Sequence, residues 1–162
     1  MTGAVPWSVF AGHVPSLAAA VEERFRAHPH HVLATLRRDG SARLNGTNVW
    51  FTSGRLWFGA MAGTARAADL RRDPRAAIHS APLAEHLPPG AGDARVSGTV
   101  VSLGQDDARS LLQLAAGEGH AADGGDFFEL HVDSVSLVEV HGQQVVVRSW
   151  TAAAGEKVRF RS

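Results

Sequence analysis

Apolar residues at Val14, Leu17, Ala18, Val21 and Phe25 recur at helical spacing, with Glu22, Glu23, Arg24 and Arg26 on the remaining faces. This pattern predicts an amphipathic helix of roughly three to four turns. Pro15 or Ser16 marks its start, and its end falls near His28-Pro29, because the residue ahead of a proline is pushed out of the helical region. From His31 the period changes to two. His31 to Leu36, a tight turn at Asp39-Gly40 and a return strand from Ser41 form a hairpin signal, and the return strand is expected to run on through Val49-Trp50-Phe51. A turn at Thr52-Ser53-Gly54 launches a third strand, Arg55 to Phe58, and completes a meander.

Beyond it the pattern predicts a helix from Thr64 to Arg72, a strand over 75–79 and a loop over 82–92 with three prolines and two glycines, placed as a lid. A strand over 94–103 follows, with Gly98 as a bend or bulge, then a helix near 106–116 ended by Gly117 and a glycine-rich stretch to Gly125. Strands over 127–132, 134–140 and 144–150 come next, the last two joined by a turn at His141-Gly142-Gln143, and 157–160 pairs as a short final strand. The chain reads as mainly β (α+β), without internal repeats or an inter-domain linker.

At 162 residues and 44% hydrophobic composition, the chain suits one domain spanning 1–162. Sixteen basic residues balance sixteen acidic ones, and Arg71, Arg72 and Arg75 form the one short basic cluster, which argues against a nucleic-acid partner. With no cysteine, disulfides, thiolate metal sites and cysteine nucleophiles are excluded. No long apolar run and no signal-like N-terminus is present, so a cytoplasmic location with no membrane partner is expected. No nucleophile elbow or Walker-type loop occurs, and Gly117-Glu118-Gly119 lacks the strand and helix a dinucleotide fingerprint needs. His28-Pro29-His30-His31 is the densest histidine cluster, but neighbours on a strand face opposite ways, so no metal site is expected there.

Chemistry concentrates at the junction of the third strand with the next helix. The strand ends in Gly59-Ala60, and Gly63-Thr64 precede the helix, offering backbone N–H groups at the positive end of a helix dipole. Thr64 is a fitting N-cap, and Arg66 can reach back toward the same anion. This is a means of holding a phosphate.

The ordered set "LATLRRDGSAR", "NVWF", "LWFGAMAGTARAADLRRDPRAAIH" and "ARVSGTV", covering most of residues 28–103, resembles the pyridoxamine 5'-phosphate oxidase-like split β-barrels, which bind FMN or coenzyme F420. The resemblance implies an antiparallel split β-barrel of six or seven strands with peripheral helices. It also implies a homodimer with the cofactor at the subunit interface. Gly63, Thr64 and the Ala65 backbone, with Arg66, are then the phosphate contacts, and Ala60 and Met61 flank the ring or ribityl chain. A branch of the same barrels handles haem through an axial histidine, and no histidine here is singled out for that role.

Two departures shape the functional expectation. Near Val49, where the vitamin B6 enzymes carry a phosphate-binding lysine, the chain is apolar, and their arginine-rich C-terminal motif is absent, so vitamin B6 oxidation is not expected. A polar cluster of Asn45, Thr47 and Asn48 offers hydrogen bonds instead, and strand alternation puts Arg43, Asn45 and Thr47 on one face with Leu44, Gly46 and Asn48 on the other. His30, His79 and Trp150 are candidate pocket walls; Trp50, Trp57 and Trp150 are core or interface aromatics, with one a possible stacking surface. The expected activity is hydride transfer between the cofactor and a small organic substrate, with no side chain standing out as proton donor. The alternative is a non-catalytic flavin, deazaflavin or haem carrier.

Overall fold

Two prolines organise the N-terminal helices. Pro6 precedes α1 (Trp7–His13) as its N-cap, and Pro15 opens α2 (Pro15–Arg26), where a missing N–H costs no helical bond. In the computed structural model, which describes residues 3–81, 90–115 and 124–162, both helices pack on a β-sheet. The second helix matches the periodicity of the sequence. The first is a seven-residue element that periodicity cannot reveal, held by buried Trp7 and Phe10 and by Trp7 Nε1–H donating to Glu22 at 2.7 Å.

The strands are β1 (His31–Leu36), β2 (Ala42–Thr47), β3 (Trp50–Thr52), β4 (Arg55–Met61), β5 (Arg75–His79), β6 (Ala91–Ser102), β7 (Gly125–His141), β8 (Gln144–Thr151) and β9 (Gly155–Arg161). Between them lie α3 (Ala65–Arg72) and α4 (Gln105–Ala115). All pairings are antiparallel, in the order β2-β1-β5-β6-β7-β4-β3, with β8 added to β7 and β9 to β8. Among the described residues this is a split barrel of nine strands rather than six or seven. The return strand expected to run from Ser41 through Phe51 breaks at Asn48-Val49, because β2 pairs with β1 while β3 pairs with β4, at opposite ends of the path. Conversely, the two strands expected at 127–132 and 134–140 are one long β7 that bends where the register shifts opposite Ser97/Gly98.

That bend requires glycine. A Cβ on Gly98 would lie 1.9 Å from the His131 carbonyl oxygen, and one on Gly92 would lie 1.6 Å from that of Val138, so no side chain fits at either crossing. The barrel encloses Leu33, Phe58, Ile78, Leu130 and Leu137, sealed by Phe10, Leu17, Val21 and Phe25 from α1 and α2. A smaller cluster lies outside the barrel, where Trp57 and Phe127 meet Ala108, Leu111 and Ala115 of α4. Residues 82–89 and 116–123 fall outside the described residues, and with them most of the expected lid, the Gly117 helix end and most of the glycine-rich stretch; the last residues of the expected loop, Ala91 and Gly92, instead open β6, where they pair with Val140 and Glu139 of β7. Among the described residues, no helix is long and apolar enough to cross a membrane.

Candidate cofactor site

Because β2 and β3 sit at the two ends of the strand path yet are joined by only Asn48 and Val49, the sheet curls until the end of β2 approaches β4. The Arg66 side chain spans the seam between them. Arg66, in the first turn of α3, donates from Nη1 to the Gly46 carbonyl at 2.8 Å and from Nη2 to the Gly59 carbonyl at 3.0 Å. Its position is set by the start of α3, where Thr64 Oγ1 accepts from the Ala67 N–H at 3.4 Å and donates to the Met61 carbonyl at 2.9 Å, with Gly63 at φ 71° turning the chain.

A cavity of about 500 Å³ opens along this seam. Gly46, Thr47 and Asn48 form one wall, and Gly59 to Ala62 the other, with Arg66 between them. Trp50 and Phe127 supply aromatic surface, Leu112 of α4 closes the outer side, and His30 stands at the rim. Glycine at 59 makes room here: a Cβ would sit 3.1 Å from the Phe127 ring, its cross-strand neighbour, and the ring would have to shift by a few tenths of an ångström. Arg66 is half-buried, burial pushes its pKa down, and no carboxylate among the described residues pairs with it. Two of its five N–H donors are taken by the carbonyls, leaving three.

His30 Nδ1 lies 3.0 Å from Asn48 Oδ1. An amide oxygen only accepts, so Nδ1 is the donor in this contact, and the neutral imidazole then has its lone pair on Nε2. Its neighbour His31 points the opposite way into the barrel, 4.9 Å from the Phe25 ring, and burial with the nearby His28 and His30 lowers its pKa to about 4.

Of the residues marked by sequence, Thr47, Asn48, Ala60, Met61, Arg66 and His30 line the cavity. Gly63, Thr64 and Ala65 lie behind it at the start of α3, outside the lining. Arg43 and Thr47 share the inner face of β2 as alternation predicts, but Arg43 is drawn away to Asp69, donating from Nε at 2.6 Å. Burial pushes the Asp69 carboxyl up, and hydrogen bonds and charges from Arg43 and Arg72 overrule it, so the net shift is downward. Asn45 is half-buried beside them, its Oδ1 without a hydrogen-bond partner. His79 lies elsewhere on β5, its Nδ1 2.6 Å from the Ser80 carbonyl and its Nε2 facing Asp93. Trp150 is a core residue packed edge-on against Phe10. Among the walls that sequence reasoning missed are Leu112, Gly124, Gly125 and Phe127, all more than forty residues beyond Arg66 in the chain. The signal for Phe127 was its place on a strand next to glycines.

An antiparallel split barrel whose open seam holds an arginine beside an aromatic-lined cavity defines the structural class. The match of the pyridoxamine 5'-phosphate oxidase family model to residues 17–139 places the chain within it: the protein belongs to the pyridoxamine 5'-phosphate oxidase family. Among solved structures it is similar to a haem-binding protein from Mycobacterium smegmatis, at 26% identity and TM-score 0.61, covering 84% of this chain and 59% of that one. The match to a pyridoxamine 5'-phosphate oxidase-related, FMN-binding protein of Nostoc punctiforme has 16% identity and TM-score 0.60, covering 92% of this chain and 96% of that one. A third similar structure is the haem storage protein HutZ of Vibrio cholerae, at 12% identity and TM-score 0.56, covering 72% and 89%. No curated protein matches the sequence. The chain thus spans about three-fifths of the mycobacterial protein's length.

Proposed function

We propose that the seam cavity binds FMN or coenzyme F420 and that the protein is an oxidoreductase passing hydride to or from a small organic substrate. The observation that carries this reading is Arg66, a half-buried guanidinium with three donors to spare and no carboxylate partner among the described residues, at the wall of an aromatic-lined cavity. A desolvated cation in that state favours an anion, and a phosphate matches its fork of donors. The cavity's volume of about 500 Å³ lies within the range of cofactor sites, and Trp50 and Phe127 offer surface for a flat ring. The residues therefore fit the group. When bound, it supplies the hydride chemistry. Arg66 holds its phosphate, Thr47 and Asn48 hydrogen-bond it, Ala60 and Met61 border it, and Leu112 keeps water from its outer side.

The cavity is open, and a second copy of the chain is the proposed cover. On the outer face of the sheet, Val32, Ala34 and Leu36 of β1 stand opposite Gly46, Leu44 and Ala42 of β2, and Leu44 is 68% exposed. This apolar strip ends at Gly46, which also lines the cavity, so docking two strips buries the cavity's rim.

The geometry of His30 favours a second reading, a haem-binding protein without catalysis. In the neutral imidazole, donation from Nδ1 to Asn48 leaves Nε2 as the electron-pair donor, the arrangement that supports a metal-ligating histidine. The similarity to haem-binding and haem storage proteins supports this reading, and the similarity to the FMN-binding Nostoc protein supports the first. Parallel titration with FMN, F420 and haemin separates them, with light scattering to follow assembly. Tight binding of FMN or F420 with phosphate-dependent affinity supports the oxidoreductase. Haemin binding that loses its Soret shift in His30→Ala supports the second reading, and binding of none of the three overturns both.

A further inference from the structure

A second cavity of about 330 Å³ lies where α2 ends and β3 begins, and it shares Asn48 and Trp50 with the first. Only the β2–β3 connection separates the two. Its other walls are Phe25, Arg26, His28, Pro29, Val49 and Phe51, and none of the residues lining it is acidic. The Arg26 guanidinium stands 6.0 Å from the centroid of the Phe51 ring, anchored by Nη2 to the Phe51 carbonyl and to Glu22, both at 3.2 Å. Glu22 divides its charge, since its other oxygen accepts from Trp7 Nε1–H. The Nε and Nη1 donors of Arg26 have no partner among the described residues, and Phe25 and Phe51 meet edge-on at 5.7 Å.

We infer that this second cavity is a binding site for a small planar carboxylate. The Arg26 guanidinium selects negative charge, and Phe51, Pro29 and Trp50 offer flat apolar surface for a single ring or a conjugated chain. Its size is at the lower end for ligand cavities, which suits a single-ring acid. Because the β2–β3 connection stands between the two cavities, this acid is not placed for hydride transfer, and its binding stands apart from the cofactor reading above.

Calorimetric titration with cinnamate and with its neutral isostere cinnamamide tests the inference on the unaltered protein, alone and saturated with FMN. Cinnamate should bind saturably in both states, and cinnamamide at least about tenfold more weakly. Arg26→Gln should lower cinnamate affinity by about tenfold or more and leave FMN affinity within about twofold, whereas Arg66→Ala should do the reverse. Equal binding of acid and amide, no saturable binding, or displacement of cinnamate by FMN would overturn the site. Failure of FMN to bind while cinnamate behaves as expected removes the cofactor reading and leaves this one standing.

Discussion

Replacing Arg66 by alanine removes two interactions at once, and ligand chemistry can separate them. In the unliganded protein the guanidinium ties the end of β2 to β4 through the Gly46 and Gly59 carbonyls. The bond to Gly46 is exposed and the bond to Gly59 is part-buried, so the pair contributes about 1.5–2.5 kcal/mol, below the sum for two fully buried charge-assisted bonds. For a chain of this length that corresponds to a fall in melting temperature of about 3–10 °C, well short of unfolding at 25 °C. The phosphate of FMN, if held by the remaining donors, adds a charge-assisted contact of about 1.5–3 kcal/mol, or about a 10- to 150-fold loss of affinity on deletion. Riboflavin, which has the ring and ribityl chain but no phosphate, provides the control. Loosening of the seam should weaken both ligands alike, whereas loss of the phosphate contact weakens FMN alone. We expect Arg66→Ala to lower FMN affinity at least about tenfold more than riboflavin affinity, measured by flavin fluorescence titration at matched protein stability. Equal losses for the two ligands would show that Arg66 serves the seam only and would refute the phosphate assignment.

Gly46→Val tests the other wall: a Cβ there meets nothing within 4 Å, so stability by urea titration should move by no more than about 0.5 kcal/mol while FMN affinity falls by over about tenfold. Leu44→Asp places a charge in the proposed dimer strip at a position 68% exposed, and should yield a folded monomer by light scattering, where a persistent dimer would rule out that strip. His31 titrates near pH 4 when folded and near 6.5 when unfolded, so only the unfolded state gains its proton between those values. Stability from this group is complete above about pH 6.5 and should fall by about 3 kcal/mol on acidification to pH 4, as measured by urea unfolding, and His31→Leu should flatten that window. Asp69→Ala leaves Arg43 and Arg72 without their shared carboxylate and should cost about 3 kcal/mol by the same measurement, with no direct effect at the cavity.

Features specified by neighbours in sequence were legible, and those specified across the barrel were not. The hairpin at Asp39-Gly40 is written in a residue that tolerates φ 83°, α3 in the Thr64 cap, and the bulge in Gly98. The break at Asn48-Val49 has no comparable local signal, because it is imposed by β3 pairing with β4 while β2 stays with β1. The same limit governs the site. Alternation correctly assigns Arg43, Asn45 and Thr47 to one face of β2, but it cannot say that Asp69 takes Arg43 or that only the last turn of the strand borders the cavity. Gly46, Thr47 and Asn48 all reach it, from both faces, because the strand ends there.

The location of the cavity follows from that ending. A sheet that closed fully would pair the end of β2 with β4 by backbone hydrogen bonds, and the Gly46 and Gly59 carbonyls would be satisfied by N–H groups. Here a side chain satisfies them, and an arginine is suited to it because its fork reaches two carbonyls and keeps donors in reserve. A lysine at 66 would bring a charge but no fixed fork to span both strands. The gap that needs this bridge is also the gap that admits a ligand. Seam and cavity are therefore one feature, and the charge that holds the barrel's two edges together is the charge that an anionic ligand would meet.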